Sequence, residues 1–204
     1  MSFNNLFTYE IIAQETPYIK RNCSKCKTNT EFYCSEKFRV NANQKIVDIW
    51  LIYNCTHCEG TWNYPIFSRV HVNKIDSMLI QKFTNNDKET IWYYAFQINK
   101  LRKLCHDVNT DIRYEVRREK LDSLSNELTI KLCYKYDFGL RIDKLIAEIF
   151  GISRSKVNKM SQNGFFLLNP NINLKSKVID NLQITVRGDW YKADALTKFY
   201  DYKT

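Results

Sequence analysis

The spacing of apolar and polar positions changes period along this chain, and the changes outline its elements. Over residues 30–40, Thr30, Phe32, Tyr33, Phe38 and Val40 make an extended run rich in aromatic and β-branched side chains. Asn41, Ala42, Asn43 and Gln44 form a polar turn. Residues 46–53, Ile-Val-Asp-Ile-Trp-Leu-Ile-Tyr, read as a second strand, so a hairpin is expected here. Gly60, Thr61 and Trp62 lead into a third strand over 63–70. Upstream, Phe7, Tyr9, Ile11 and Ile12 predict an edge strand feeding the same sheet, and Pro17 limits regular structure after it.

The period then lengthens to that of a helix. Ile75, Met78, Leu79, Ile80 and Phe83 predict a helix over 73–83. Residues 84–87 break it, and Asn86 or Asp87 is placed to cap the next. That second helix is expected over 88–104, with Ile91, Trp92, Ala95, Phe96, Ile98 and Leu101 along one side. Its Trp92-Tyr93-Tyr94 cluster is expected to pack on the sheet, and Cys105-His106 to be a helix end with a buried thiol. Residues 111–118 and 127–136 alternate polar and apolar side chains, which predicts a long hairpin. Arg113, Arg117, Lys131 and Lys135 would share its outer face.

In the last third, Ile142, Leu145, Ile146 and Ile149 predict a helix over 140–150, closed by Gly151. Ser153 is a natural cap for a second helix over 154–163, which Gly164 ends. Short strands follow over 165–168 and 182–186. The expected class is α+β. Its parts are an antiparallel β domain over 1–72, a helical and hairpin linking segment over 73–138, and a small α/β module with a tail over 139–204.

Cysteine spacing adds chemistry to the first of these. Cys23 and Cys26 are two residues apart, as are Cys55 and Cys58, and twenty-eight residues separate the pairs. A two-residue gap lets the backbone fold into a knuckle that aims both sulfurs at one ion. Two knuckles complete a tetrahedron with metal–sulfur distances of about 2.3 Å. The order knuckle, hairpin, knuckle, strand resembles a zinc ribbon. The resemblance implies one structural Zn2+ per chain on Cys23, Cys26, Cys55 and Cys58. Cys34, Cys105 and Cys133 are then free thiols. A disulfide framework is the rival reading, but seven cysteines, an odd number, without a leading basic-then-apolar segment fit a reducing compartment better. A cytoplasmic protein is expected. No apolar run approaches the ~20 residues of a membrane span.

The 204 residues are 44% apolar and 14% aromatic, enough for packed cores. Net charge is +9. Residues 1–62 contribute little, with 7 basic and 6 acidic side chains, whereas residues 139–204 carry 11 and 6. A surplus placed there points to an anionic partner, nucleic acid first; a solvated lysine-rich surface is the bland alternative.

Arg141-Ile142-Asp143-Lys144-Leu145-Ile146, then Ser153-Arg154-Ser155, Gly164, Asn169 and Lys175-Ser176-Lys177, resemble the small RNA-binding module named for a small-subunit ribosomal protein, the S-four module. The resemblance covers about residues 139–187. It departs from the module's usual Val-x-Val-Asn-Gly at Phe166-Leu167-Leu168-Asn169-Pro170. It implies contacts to structured RNA, ribosomal or transfer, through Arg141, Lys144, Ser153, Arg154, Lys156, Lys159, Lys175 and Lys177. The physical reading is compatible: residues 139–187 hold 8 basic and 3 acidic side chains, and guanidinium groups beside a capped helix start suit phosphate oxygens.

Most of the chain also resembles an uncharacterised bacterial family, a domain of unknown function. The matching elements are Cys-Ser-Lys-Cys at 23–26, the runs at 37–43 and 48–53, and Trp62-Asn63. No Gly-rich phosphate loop, nucleophile elbow or pseudouridine-synthase Asp motif appears, and four thiolates close a zinc shell to substrate. The expected function is therefore a non-catalytic, zinc-containing RNA-binding protein. The alternative is a protein-interaction or regulatory module docking through the ribbon, and DNA remains a possible partner of either.

Overall fold

A computed structural model describes residues 6–118 and 127–188. They form a mixed α+β chain with two five-stranded sheets. Chain contacts divide it into two compact units, residues 13–113 and residues 1–12 with 114–204.

The first unit carries an antiparallel sheet. Its strands are β2 (Tyr18–Asn22), β3 (Asn29–Asn43), β4 (Ile46–Cys55), β5 (Thr61–His71) and β6 (Asp107–Asn109), in the order β5-β4-β3-β2-β6. β3 and β4 form the hairpin expected between the cysteine pairs, running from Phe32↔Cys55 to Asn43↔Ile46. Its turn is tighter than expected, because Gln44 adopts φ 53° and lets β3 continue to Asn43. β4 alternates almost perfectly. Val47, Ile49, Leu51, Tyr53 and Cys55 are buried, and the residues between them are not.

Helices cover the buried face of the hairpin. α1 (Ser77–Thr84) starts at Asp76, whose carboxylate accepts from Leu79 N at 3.0 Å. α2 (Lys88–Ala95) starts at Asp87, which accepts from Thr90 N at 3.0 Å. α3 (Ile98–Arg102) is separate. The single helix expected over 88–104 breaks at Gln97, where ψ is 60°. The last bond of the first helix is Phe96 N to Trp92 O. Phe83, fully buried, has Phe38, Phe67 and Tyr94 around it at ring-centroid distances of 4.8, 5.9 and 5.6 Å. Val47, Ile49 and Ile75 complete that core. Of the aromatic triplet, Trp92 and Tyr94 pack inward, with Trp92 Nε1 donating to Glu36, while Tyr93 is exposed. Residues 73–113, the first part of the linking segment expected over 73–138, group with the first sheet in one compact unit.

The second unit holds β1 (Leu6–Ala13), β7 (Tyr114–Arg118), β8 (Glu127–Tyr134), β9 (Phe166–Asn169) and β10 (Leu182–Arg187), in the order β7-β1-β8-β10-β9. Two expectations are corrected here. β1 is neither an edge strand nor part of the first sheet; it runs parallel to β8, from Leu6↔Thr129 to Ile11↔Tyr134. β7 and β8 are not hairpin partners, since β1 lies between them. The reason is burial. Tyr9 and Ile11 are 3% and 2% exposed, which an interior position provides and an edge does not. The basic face imagined over Arg113, Arg117, Lys131 and Lys135 is split accordingly. Arg113 pairs with Glu15 at 2.9 Å and Arg117 with Glu115 at 3.5 Å.

α4 (Ile142–Phe150) buries Ile142, Leu145, Ile146, Ile149 and Phe150, and Gly151 closes it at φ 62°. α5 (Arg154–Gln162) follows at once, capped by Ser153. The rings of Phe150 and Phe166 meet at 5.9 Å, tying α4 to β9. No helix among the described residues is long and apolar enough to cross a membrane.

Phe83 is the position on which the first core turns. Phe83→Ala should destabilise the protein by about 3–5 kcal/mol, as large-to-small changes at fully buried aromatics do. Denaturant unfolding of the two proteins measures this.

Candidate metal centre and basic face

Each cysteine pair sits in a turn at a strand end. In the first, Lys27 N donates to Cys23 O at 2.9 Å and Cys23 N to Thr28 O at 2.9 Å. In the second, Glu59 N donates to Cys55 O at 3.0 Å and Cys55 N to Gly60 O at 2.9 Å. The residue after each second cysteine is left-handed, Lys27 at φ 59° and Glu59 at φ 55°. A side chain there costs about 1–2 kcal/mol relative to the right-handed region. The strain is accepted because it turns both sulfurs of a pair to one side.

The four sulfurs converge within 4.8 Å of one another. Cys23 and Cys58 Sγ are 3.5 Å apart, and Cys26 and Cys55 Sγ 3.9 Å. A tetrahedral ion with 2.3 Å bonds to sulfur needs edges of about 3.8 Å. None of these cysteines is in a disulfide. The set fits a soft divalent cation. Cys23 and Cys55 are buried, whereas Cys26 and Cys58 are partly exposed.

Hydrogen bonds feed the sulfurs. Cys26 N donates to Cys23 Sγ at 3.5 Å, His57 N to Cys55 Sγ at 3.5 Å, and the buried Thr30 hydroxyl lies 3.3 Å from Cys55 Sγ. Burial opposes ionisation of Cys55, but Thr30 and the N–H groups of His57 and Cys58 bring its thiol down to about 6. Cys26 is pushed up to about 12, by hydrogen bonding to Cys58 first and burial second. Metal-free, the cluster keeps protons on some sulfurs; a bound cation displaces them. Cys34 is outside the cluster, and burial pushes it up to about 12. Burial also raises Cys105 and Cys133, which lie outside the cluster as well.

The basic residues of the second unit gather around one carboxylate. Asp143 has a side chain only 2% exposed. Arg141 donates to it through Nε at 3.0 Å and Nη2 at 2.8 Å. Arg154 donates through Nε at 3.3 Å and Nη2 at 2.9 Å. Both guanidinium groups stay about half exposed. Burial raises the Asp143 carboxyl, but Arg141 and Arg154 outweigh it and hold the group below the usual carboxylate range.

A short segment runs antiparallel along the start of α4. Val178 N donates to Leu140 O at 2.7 Å, Ile142 N to Ser176 O at 3.0 Å, and Asp143 N to Leu174 O at 2.9 Å. These bonds satisfy the first N–H groups of α4 and set Lys177 opposite Arg141. Lys177 stretches past Gly139, where a Cβ would stand 3.3 Å from its Nζ. Lys156 and Lys159, three apart on α5, are exposed, as are Lys175 and Lys177. The Lys144 ammonium lies 5.9 Å from the centre of the Tyr114 ring. The Ser153 hydroxyl accepts from Lys156 N at 3.2 Å and so serves its own helix. Asp143 is the residue that sequence reasoning left without a role. Its signal was an acid inside the otherwise apolar stripe of α4.

Geometry and fold together define a mixed α+β protein with a four-cysteine cluster that can hold a metal ion. Residues 40–171 match the family model described as "Protein of unknown function (DUF1062)", and the chain belongs to that family. No curated protein and no solved structure matches the chain.

A carboxyl whose folded pKa is depressed below its unfolded value of about 3.9 contributes stability that is complete above that value and fades as pH falls through the folded one. Asp143→Asn should therefore destabilise the protein near neutrality by about 2–4 kcal/mol, with the half-exposed arginines keeping the loss below the fully buried limit. The deficit should shrink below about pH 4. Arg154→Ala should cost about 1–2 kcal/mol, since Arg141 still pairs the carboxylate. Unfolding curves at pH 7 and pH 3 test all three.

Proposed function

We propose that this is a non-catalytic zinc protein that binds structured RNA, ribosomal or transfer, through residues 139–187. Zinc is favoured by four thiolates at tetrahedral spacing, a donor set soft enough to select it. Cys23, Cys26, Cys55 and Cys58 fill its shell, which makes the ion structural. The order of knuckle, β3–β4 hairpin, knuckle and β5 supports a zinc ribbon, and α4, α5, β9 and β10 in succession support an S-four-like module.

The observation that carries the RNA reading is the set Lys156, Lys159, Lys175 and Lys177. All four are exposed, and none has an ion-pair partner among the described residues. Arg141 and Arg154 spend part of their charge on Asp143 but keep N–H groups in water, in orientations one buried carboxylate fixes. Fixed guanidiniums with loose lysines around them match a phosphate backbone read by shape. Lys144 and Ser153 flank the face. The expected setting is the cytoplasm.

Two experiments test the reading. Elemental analysis should find one zinc per chain. Cys55→Ser should lose it, and Cys34→Ala, Cys105→Ala and Cys133→Ala should each retain it. A metal-free protein, or zinc loss in Cys34→Ala, would overturn the assigned shell. For RNA, affinity for ribosomal and transfer RNA should be titrated between about 50 and 200 mM salt. Lys156→Gln and Lys175→Gln should each lower the log–log salt slope by roughly 0.7–1 and leave melting unchanged. Unchanged slopes would remove RNA from the proposal and favour a protein partner on the ribbon.

A further inference from the structure

We infer that Cys58 is an oxidation site for hydroperoxides, that Cys23 resolves it, and that the resulting disulfide expels the metal. The inference rests on the zinc reading above.

The four sulfurs are not equivalent. Cys55 is buried, and it receives the Thr30 hydroxyl at 3.3 Å and the His57 N–H at 3.5 Å. Hydrogen bonds of this kind draw electron density from a thiolate and shield it. Cys58 is partly exposed. Its flank is Gly60, where a Cβ would stand 3.2 Å from Cys58 Sγ and 3.6 Å from Cys23 Sγ. Gly60 is buried and these approaches are tight, so the glycine lets both sulfurs and the aliphatic stem of Lys25 close against it, and Cys58 is reached from its solvent-facing side. Cys23 Sγ is 3.5 Å from Cys58 Sγ, in the opposite knuckle. An oxidised Cys58 therefore has a thiolate in place to attack it. Cys26, the other partly exposed sulfur, contacts Cys58 as well and lies 3.9 Å from the shielded Cys55.

The steps balance. The Cys58 thiolate attacks the terminal peroxide oxygen, the O–O bond breaks, and Cys58 becomes a sulfenic acid while hydroxide leaves from hydrogen peroxide, or alkoxide from an organic hydroperoxide. The Cys23 thiolate attacks the sulfenic sulfur, the S–O bond breaks, and hydroxide leaves. Two thiolates lose two electrons and the hydroperoxide gains them. With two of its four donors consumed, the divalent ion departs. The Cys23–Cys58 bond spans the β3–β4 hairpin, so the knuckles stay tied and a thiol reductant with zinc restores the site.

The test uses the full chain with its metal content measured first. Hydrogen peroxide is added at one equivalent, released zinc is followed with a chromophoric chelator, and disulfides are mapped by non-reducing peptide mass spectrometry. The expected result is zinc release in step with a Cys23–Cys58 disulfide, both reversed by reductant. A first disulfide within a knuckle, Cys23–Cys26 or Cys55–Cys58, would overturn the inference. So would zinc held while Cys105 and Cys133 oxidise. Either result leaves the zinc reading standing. Starting protein without zinc would remove both.

Discussion

The convergence of four sulfurs within 4.8 Å is the constraint on which the first unit depends. It fastens the open end of the β3–β4 hairpin, because Cys26 lies just before β3 and Cys55 ends β4. The turn at Gln44 closes the other end. A hairpin held at both ends has its register set, and register decides which face of β4 is buried. The core around Phe83 forms on that face. The two left-handed residues, Lys27 and Glu59, show the same dependence from the other side. Each holds its left-handed conformation in the turn that brings a pair of sulfurs to the cluster. Four thiolates without a cation would repel one another, and the neutral alternative leaves buried thiols with poor hydrogen bonds. A bound ion removes that conflict, and in small sulfur-ligated domains it supplies on the order of 10–16 kcal/mol.

The second unit has a different keystone. A carboxylate as buried as Asp143 is costly unless it is paired and hydrogen-bonded. Arg141 supplies both oxygens, and Arg154 adds a bond from the next helix. The pairing locks the α4–α5 corner and sets two cations at its surface. This resolves a puzzle in the sequence. A cation at the first residue of α5 opposes the helix dipole and needs an anion nearby. Asp143 is that anion. Arg154 is thus part of the fold before it is part of any interface, and the charge left for a partner is chiefly that of the lysines.

Local features were legible in the sequence and long-range pairings were not. The two Cys-x-x-Cys pairs, the hairpin between them, the Asp87 and Ser153 caps and the Gly151 stop are all written within a few residues of where they act. Their physics is local, so their pattern is visible. β1 shows the opposite. Its alternation marks it as a strand, but nothing within it names a partner more than a hundred residues away. Adjacency in the chain favours a β7–β8 hairpin, whereas β1 lies between those strands. The helix break at Gln97 was hidden because the apolar spacing continues across it. Asp143 stands in the sequence as one letter of a motif, since its second partner lies eleven residues on, across a turn.

The ligand set draws its strongest support from a repetition that the letters conceal. The family match begins at Val40 and so includes only the second cysteine pair. The first pair is joined to it by geometry. Cys-Ser-Lys-Cys-Lys-Thr and Cys-Thr-His-Cys-Glu-Gly share only their cysteines. Their backbones nevertheless repeat the same pair of hydrogen bonds and the same left-handed residue in fifth place. Two unrelated side chains, a lysine and a glutamate, accept the same strained conformation. Local propensity does not explain that, because Gly is the residue that suits such a position. The same conformation occurs at Glu36, Gln44 and Arg69, so what singles out the knuckles is its repetition at the same place beside two converging cysteine pairs, a shared demand on the sulfurs. The demand is met only if both knuckles present two donors to one point, which is the arrangement a tetrahedral cation requires.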